Sequence, residues 1–275
     1  MRRGTRLFRS SYDWLCCSWN IPIARIVAIA NQKGGVGKTT TAVNLAAGFA
    51  LAERPTLLVD LDPQGNATTG LGVQKSGLYP TIYHVILGSE PATKAVRETA
   101  LTNLRLLPSD IDLVGAEIEL VALDQRESRL RDAIESVAKD YEFVIVDCPP
   151  SLGLLTINAL VAADRVLVPL QCEFYALEGL THLLKTIRLV RERLNQRLAV
   201  EGIVLTMFDG RTSLALQIRE EVHRYFPGEI FDTVIPRNVR LTEAPSYGKP
   251  VMLHDLRSSG SVAYLELAGE VLKHE

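Results

Sequence analysis

Several common classes are excluded by what this sequence has little of. Its 275 residues hold four cysteines, Cys16, Cys17, Cys148 and Cys172, with no C-x-x-C pair. A zinc or dithiol redox motif is therefore not expected, and the composition fits a reducing cytosol. No uninterrupted apolar run reaches bilayer-spanning length. Neither sign of charge dominates, with 30 Lys and Arg against 32 Asp and Glu. A globally basic nucleic-acid binder is excluded, and any DNA contact must come from a local patch. A secretory leader is a poor reading of the first residues, because Asp13 interrupts a very short apolar region and no cleavage site is evident. Residues 1–22 mix Arg2, Arg3, Arg6 and Arg9 with Phe8, Tyr12, Trp14 and Trp19. They are expected to be a flexible N-terminal extension, or to follow from a start placed too far upstream. One α/β domain is expected over 23–275, long enough to bury a sizeable core.

What is present centres on Asn31-Gln32-Lys33-Gly34-Gly35-Val36-Gly37-Lys38-Thr39-Thr40. The apolar run Ile26 to Ala30 before it reads as a buried strand, and Thr41 to Ala52 after it reads as a helix. Strand, glycine-rich turn and helix with Gly-Lys-Thr at the junction make a phosphate-binding loop. Glycines let backbone N–H groups converge on phosphate oxygens, and the helix N-terminus adds partial positive charge. Lys38 is expected on the β- and γ-phosphates of ATP and the Thr39 hydroxyl on Mg2+. The ordinary pattern wants glycine at position 32. Here Gln32 stands there, and a second lysine, Lys33, lies five residues before Lys38. Two lysines on one small loop repel unless both face a polyanion; the alternative is a solvated Lys33.

Acids follow at strand ends. Thr56 to Val59 reads as a buried strand ending in Asp60-Leu61-Asp62-Pro63-Gln64. Carboxylates at i and i+2 point to one side, and a parallel strand's C-terminal end lies beside the phosphate loop. Phe143 to Val146 is another buried strand, ending in Asp147-Cys148-Pro149-Pro150. This is a Walker B pattern, with Asp147 expected to hold Mg2+ through water and Cys148 a buried thiol. Further strands are expected at Leu104 to Pro108, Arg165 to Pro169, Val200 to Met207 and just before Val234. Helices are expected near Tyr79 to Leu87, Ile111 to Leu123, Ser128 to Ala138, Phe174 to Gln196 and Ser259 to His274. Asp110 and Asp112 read as helix caps, and Thr212 or Ser213 as the N-cap of a helix after Gly210. The fold class is α/β, a mostly parallel twisted sheet with helices on both faces.

Lys-Gly-Gly-x-Gly-Lys-Thr resembles the deviant Walker A motif of the ParA/MinD/nitrogenase-iron-protein class. Asp-x-Asp-Pro-Gln resembles that class's second signature. Thr206-Met207-Phe208-Asp209, Arg211-Thr212 and the stretch Val234 to Pro250 resemble the chromosomal ParA (Soj) branch, and the likeness covers roughly residues 24–274. The resemblance implies an ATP-dependent homodimer in which Lys33 crosses to the partner's nucleotide. Asp62 would orient the attacking water, Asp60 would lie nearer Mg2+ and the loop, and Pro236-Arg237-Asn238 would lie near the adenine. Lys33, Lys38 and Asp62 would be catalytic, and residues 33 to 40 would cradle the nucleotide. Arg211 and Arg240 would bind double-stranded DNA non-specifically, unless each is neutralised by an acid such as Glu220 or Glu243. The implied function is a slow, partner-stimulated ATPase acting with a ParB-type centromere-binding protein in chromosome or plasmid segregation, in the cytoplasm and on the nucleoid. The alternative is an orphan ParA-like or MinD-like ATPase positioning another cargo. A MinD-like membrane switch would need a cationic amphipathic C-terminal helix, and Glu266 and Glu270 argue against a stable membrane anchor. An iron-protein role would need two suitably placed cysteines, and Cys148 and Cys172 lack the local motifs.

Overall fold

The computed structural model describes residues 24–274. The expectations for residues 1–22, Cys16 and Cys17 included, lie outside the described residues. The strands are β1 (Arg25–Ile29), β2 (Thr56–Asp60), β3 (Arg97–Glu98), β4 (Leu104–Leu107), β5 (Phe143–Asp147), β6 (Arg165–Gln171) and β7 (Ala199–Thr206). They form one sheet in the order β3-β4-β2-β5-β1-β6-β7, parallel except for the short antiparallel β3–β4 edge. The helices are α1 (Lys38–Leu51), α2 (Asn66–Gly70), α3 (Ile82–Leu87), α4 (Ala92–Ala95), α5 (Leu113–Glu119) and α6 (Arg129–Ala138). They continue with α7 (Leu154–Ala162), α8 (Ala176–Arg193), α9 (Ser213–Tyr225), α10 (Val239–Glu243), α11 (Val251–His254) and α12 (Ser259–Lys273).

Every residue of β2 and β5 is buried, as befits central parallel strands covered on both faces. Alternation divides each strand between two cores. Phe143 and Ile145 face α1 and α12, while Val144 and Val146 face the opposite helical layer. Phe49 of α1 stacks on Phe143 with ring centroids 4.3 Å apart. The approach of α1 to α12 depends on Gly48, where a Cβ would lie 2.7 Å from that of Ala268. Chain order reverses at β1, which has β5 on one side and β6 on the other. The loop after β1 therefore opens at a topological switch point, where open α/β sheets bind ligands.

Five elements differ from the sequence reading, among them the helix expected from Tyr79, which starts at Ile82 after the Thr81 N-cap. The first helix starts at Lys38 rather than Thr41, because left-handed Gly37 (φ 87°) caps it and the glycine turn is tighter than propensity suggests. The helix expected from Ile111 to Leu123 is shorter: α5 gives way to a 3-10 turn over Leu120–Ala122. The helix expected from Phe174 to Gln196 is trimmed to α8. The strand expected before Val234 is reduced to isolated bridges, Ile203 with Ile230 and Phe208 with Pro236. There the Asp232 and Thr233 amides donate to the Glu270 carboxylate at 2.7 and 3.1 Å instead of to a neighbouring strand. Asp112 occupies the N-cap position of α5, and Thr212 that of α9, without a side-chain cap bond in either case.

Candidate nucleotide site

The loop between β1 and α1 is held at three points. Asn31 donates through Nδ2 to the Pro169 carbonyl at 2.8 Å and accepts from the Lys33 amide at 3.0 Å. Thr206, at the end of β7, donates through Oγ1 to the Val36 carbonyl at 2.8 Å. Gly35 and Gly37 adopt φ values of 75° and 87°, which residues with side chains reach only with strain. The turn leads straight into the N-terminus of α1, and the free amides of a helix start favour an anion.

The two lysines have separate environments. Lys38 is buried, and its Nζ donates to the Lys33 carbonyl at 3.0 Å. Burial pushes its ammonium pKa down, while Asp147, Cys148 and Asp62 oppose that fall. Lys33 does not share this pocket. Its ammonium is paired with Glu173, in the loop between β6 and α8, and both side chains are partly exposed. The repulsion expected between two lysines on one loop is thus relieved in this structure by an acid distant in sequence.

Three acids gather at the C-terminal ends of β2 and β5. Asp60 pairs in register with Asp147, and both are fully buried. Asp60 Oδ2 accepts the amide and hydroxyl of Thr68, each at 2.7 Å, and Oδ1 accepts the Asp62 amide at 3.2 Å. Burial nevertheless raises its pKa to about 6, with the Thr68 bonds opposing. Both oxygens of Asp147 are buried without a well-formed protein hydrogen bond, although the Thr39 hydroxyl lies close enough to oppose the rise in its pKa. Burial, then the neighbouring Asp60, pushes its pKa well above the usual carboxylate range. A buried carboxylate left unpaired is costly. An oxygen-binding cation is the chemistry that would satisfy it, and Thr39 stands at the start of α1 beside the loop. Asp62 is almost buried, and its Oδ1 accepts the Gln64 amide at 2.9 Å. Cys148 is buried and its thiol pKa is pushed up, which removes it as a nucleophile.

Beside Gly37 and Thr40 opens a mostly apolar cavity of about 310 Å³. Pro236, Arg237 and Asn238 line it, with Met207, Leu241 and Tyr264 among the other walls. Its size and position against the phosphate loop suit a planar base. Tyr264 comes from α12 and its hydroxyl lies 3.1 Å from Thr41 Oγ1, so the last helix braces the first turns of α1.

An AAA domain family model matches residues 24–200. The chromosome partitioning protein ParA of Myxococcus xanthus is 55% identical over 92% of this chain and 89% of its own length. This chain belongs to the ParA/Soj family. The sporulation initiation inhibitor protein Soj of Bacillus subtilis is 54% identical, over 90% of this chain and 98% of its own. Among solved structures, cobyrinic acid a,c-diamide synthase from Mycobacterium smegmatis, with bound ADP and magnesium, matches with a TM-score of 0.81. It is 38% identical over 91% of this chain and 95% of that one.

The two arginines singled out from the ParA/Soj resemblance are both exposed. Arg211 is 91% exposed and forks onto Asp209, with Nε and a terminal nitrogen 2.8 and 2.7 Å from its two oxygens. Arg240, on α10, donates to Glu243 at 2.7 Å and lies 3.3 Å from Asp255. Both arginines are paired with acids, Arg211 with Asp209 rather than Glu220. Sequence reasoning gave no role to Asn31, Thr68, Glu173, Thr206 or Tyr264. Asn31 and Thr206 stand inside the motifs and were open to notice. Nothing local marks Thr68, Glu173 or Tyr264, whose parts depend on segments brought together by folding.

Proposed function

We propose that the chain is an Mg2+-dependent ATPase that closes into a homodimer on ATP and then holds DNA without regard to sequence. It would drive chromosome or plasmid segregation with a ParB-type centromere-binding protein. The observation that carries the nucleotide half is Asp147, a buried carboxylate without a well-formed hydrogen bond, close to Thr39 at the glycine-capped N-terminus of α1. Asp147 and Thr39 would hold Mg2+, which when bound supplies positive charge against the phosphates. Lys38, already inside the pocket, would neutralise the β- and γ-phosphates, and the loop amides would orient them. Pro236, Arg237 and Asn238 would border the base. Asp62, its orientation set by the Gln64 amide, would position water for attack on the terminal phosphate. Asp60 would act behind it, holding Asp62 through the Asp62 amide.

The partition half is supported by kinship with ParA and Soj proteins and by two arginines on the outer face. Base-independent binding requires only cations facing phosphates, and a dimer doubles them. Lys33 would leave Glu173 and cross to the partner's nucleotide. A membrane role is disfavoured by α12, which is buried against α1 and tied through Glu270 to residues 232 and 233. Among the described residues no helix is long and apolar enough to cross a bilayer.

The test is duplex DNA binding across a salt series with ATP, with ADP and without nucleotide, for wild type and Arg240→Glu. Binding that needs ATP, weakens with salt and fails in the variant supports the switch. Binding indifferent to nucleotide removes the partition reading and leaves the nucleotide site standing.

A further inference from the structure

Neither Arg211 nor Arg240 is a free cation. The carboxylate of Asp209 covers one edge of Arg211. Two carboxylates meet Arg240 from different sides, Glu243 at one terminal nitrogen and Asp255 at Nε. Their origins differ. Glu243 lies one turn further along α10, whereas Asp255 follows α11 and sits three residues before the N-cap of α12. Asp255 is built into place. Its Oδ1 accepts the Arg257 amide at 3.2 Å and its carbonyl accepts the Ser258 hydroxyl at 2.9 Å, which leaves Oδ2 aimed at Arg240. His254 stands 3.7 Å from the same Glu243 oxygen that Arg240 uses and stacks on Tyr247.

We infer that Glu243 and Asp255 are an intramolecular brake on DNA binding, occupying Arg240 in the way that backbone phosphates would. The inference rests on the DNA-binding reading above and adds its regulation. Arg240, Glu243 and Asp255 sum to a charge of −1, and Arg211 with Asp209 to zero, so neither arginine adds net positive charge to its surroundings until its acids are displaced. Exposed ion pairs of this kind are weak and exchange readily. A polyanion that releases condensed counterions can displace them once several arginines act at once. Two copies held in fixed register supply that sum through effective concentration, and one copy does not. The acids thus set the threshold that makes DNA binding depend on dimer closure.

The experiment uses the full chain and a fluorescein-labelled duplex of arbitrary sequence, titrated with ATP and Mg2+, with ADP and without nucleotide. The variants are Glu243→Gln, Asp255→Asn and the double variant, with Glu192→Gln on α8 as a control that removes one acid elsewhere. Each brake variant is expected to bind DNA about three- to tenfold tighter with ATP at near-physiological salt. The double variant is expected to bind measurably with ADP, while the α8 control stays within about twofold of wild type. Adding Arg240→Glu to the double variant should abolish the gain, and thermal melts confirm that each variant folds. If wild type binds with ATP and the brake variants bind equally or more weakly, the brake is overturned and the DNA reading stands. A control that gains as much as the brake variants overturns it too, in favour of overall charge. If no form binds DNA in any nucleotide state, the DNA reading falls and the brake with it.

Discussion

The phosphate pocket and the arginine face handle charge in opposite ways. Inside, Lys38, Asp60 and Asp147 are buried, and neither oxygen of Asp147 has a well-formed protein hydrogen bond. Outside, Arg211 and Arg240 are solvated, and each is matched by at least one carboxylate. A buried unmatched charge costs stability until a ligand arrives, so the pocket is selective and committed. A matched surface charge costs little to make or break, so the outer face can be switched by small changes in local sum.

The largest effect should come from the inside. Lys38→Ala removes the cation proposed to neutralise the phosphates, and ATP hydrolysis should fall by about 10²–10³-fold in a phosphate-release assay. Asp62→Ala should stop hydrolysis to a similar degree yet leave ATP-dependent DNA binding intact. Loss of both together would place Asp62 in nucleotide binding instead.

Stability sharpens the contrast. Asp60 has a folded pKa raised to about 6, so through it the folded state binds more protons between about pH 4 and about pH 6, and Asp147 shifts in the same direction. Stability from these groups is greatest below the unfolded value and declines as pH rises through the folded one. Asp147→Asn keeps the shape and removes the charge. In EDTA without nucleotide it should raise the melting temperature by about 2–5 °C at pH 7.5, with the gain shrinking toward pH 4.5. Added Mg2+ should narrow the gap by stabilising wild type alone. A lower melting temperature for the variant at neutral pH would mean that Asp147 is not a strained charge.

Thr68→Val removes a hydroxyl that donates to Asp60 and accepts from the Ser109 amide. Leaving those buried groups unpaired should cost about 1–3 kcal/mol in denaturant unfolding. The smallest effect belongs to Glu173→Gln, which breaks the partly exposed pair with Lys33. Its melting temperature should stay within about 2 °C of wild type. A large loss there would erase the distinction between the two regions.

How much was legible follows from where the information lies. The phosphate loop, the acids at the ends of β2 and β5 and the parallel sheet could be read because each is a contiguous pattern with a local physical cause. The cavity wall at Pro236-Arg237-Asn238 was legible only through likeness to a family. The strand expected before Val234 failed because Glu270, on α12, takes the amides a ladder would have used. The pairing of Lys33 with Glu173 could not be read, because the two lie 140 residues apart in the chain. Glu243 was foreseeable as a partner for Arg240 from helical spacing, but Asp255 was not.

The sequence by itself determined the chemistry: a glycine turn that can bare its amides, a lysine and threonine at a helix start, and apolar strands that end in acids. These depend on neighbours along the chain, so composition and spacing suffice. Tertiary structure decided which charges are matched. It set Asp60 beside Asp147 by strand register and left Asp147 without a well-formed hydrogen bond. It gave Lys33 to Glu173 and set Arg240 between Glu243 of its own helix and Asp255 of the turn before α12. Partnership at 3 Å between residues far apart in sequence is a property of packing, and no local pattern encodes it.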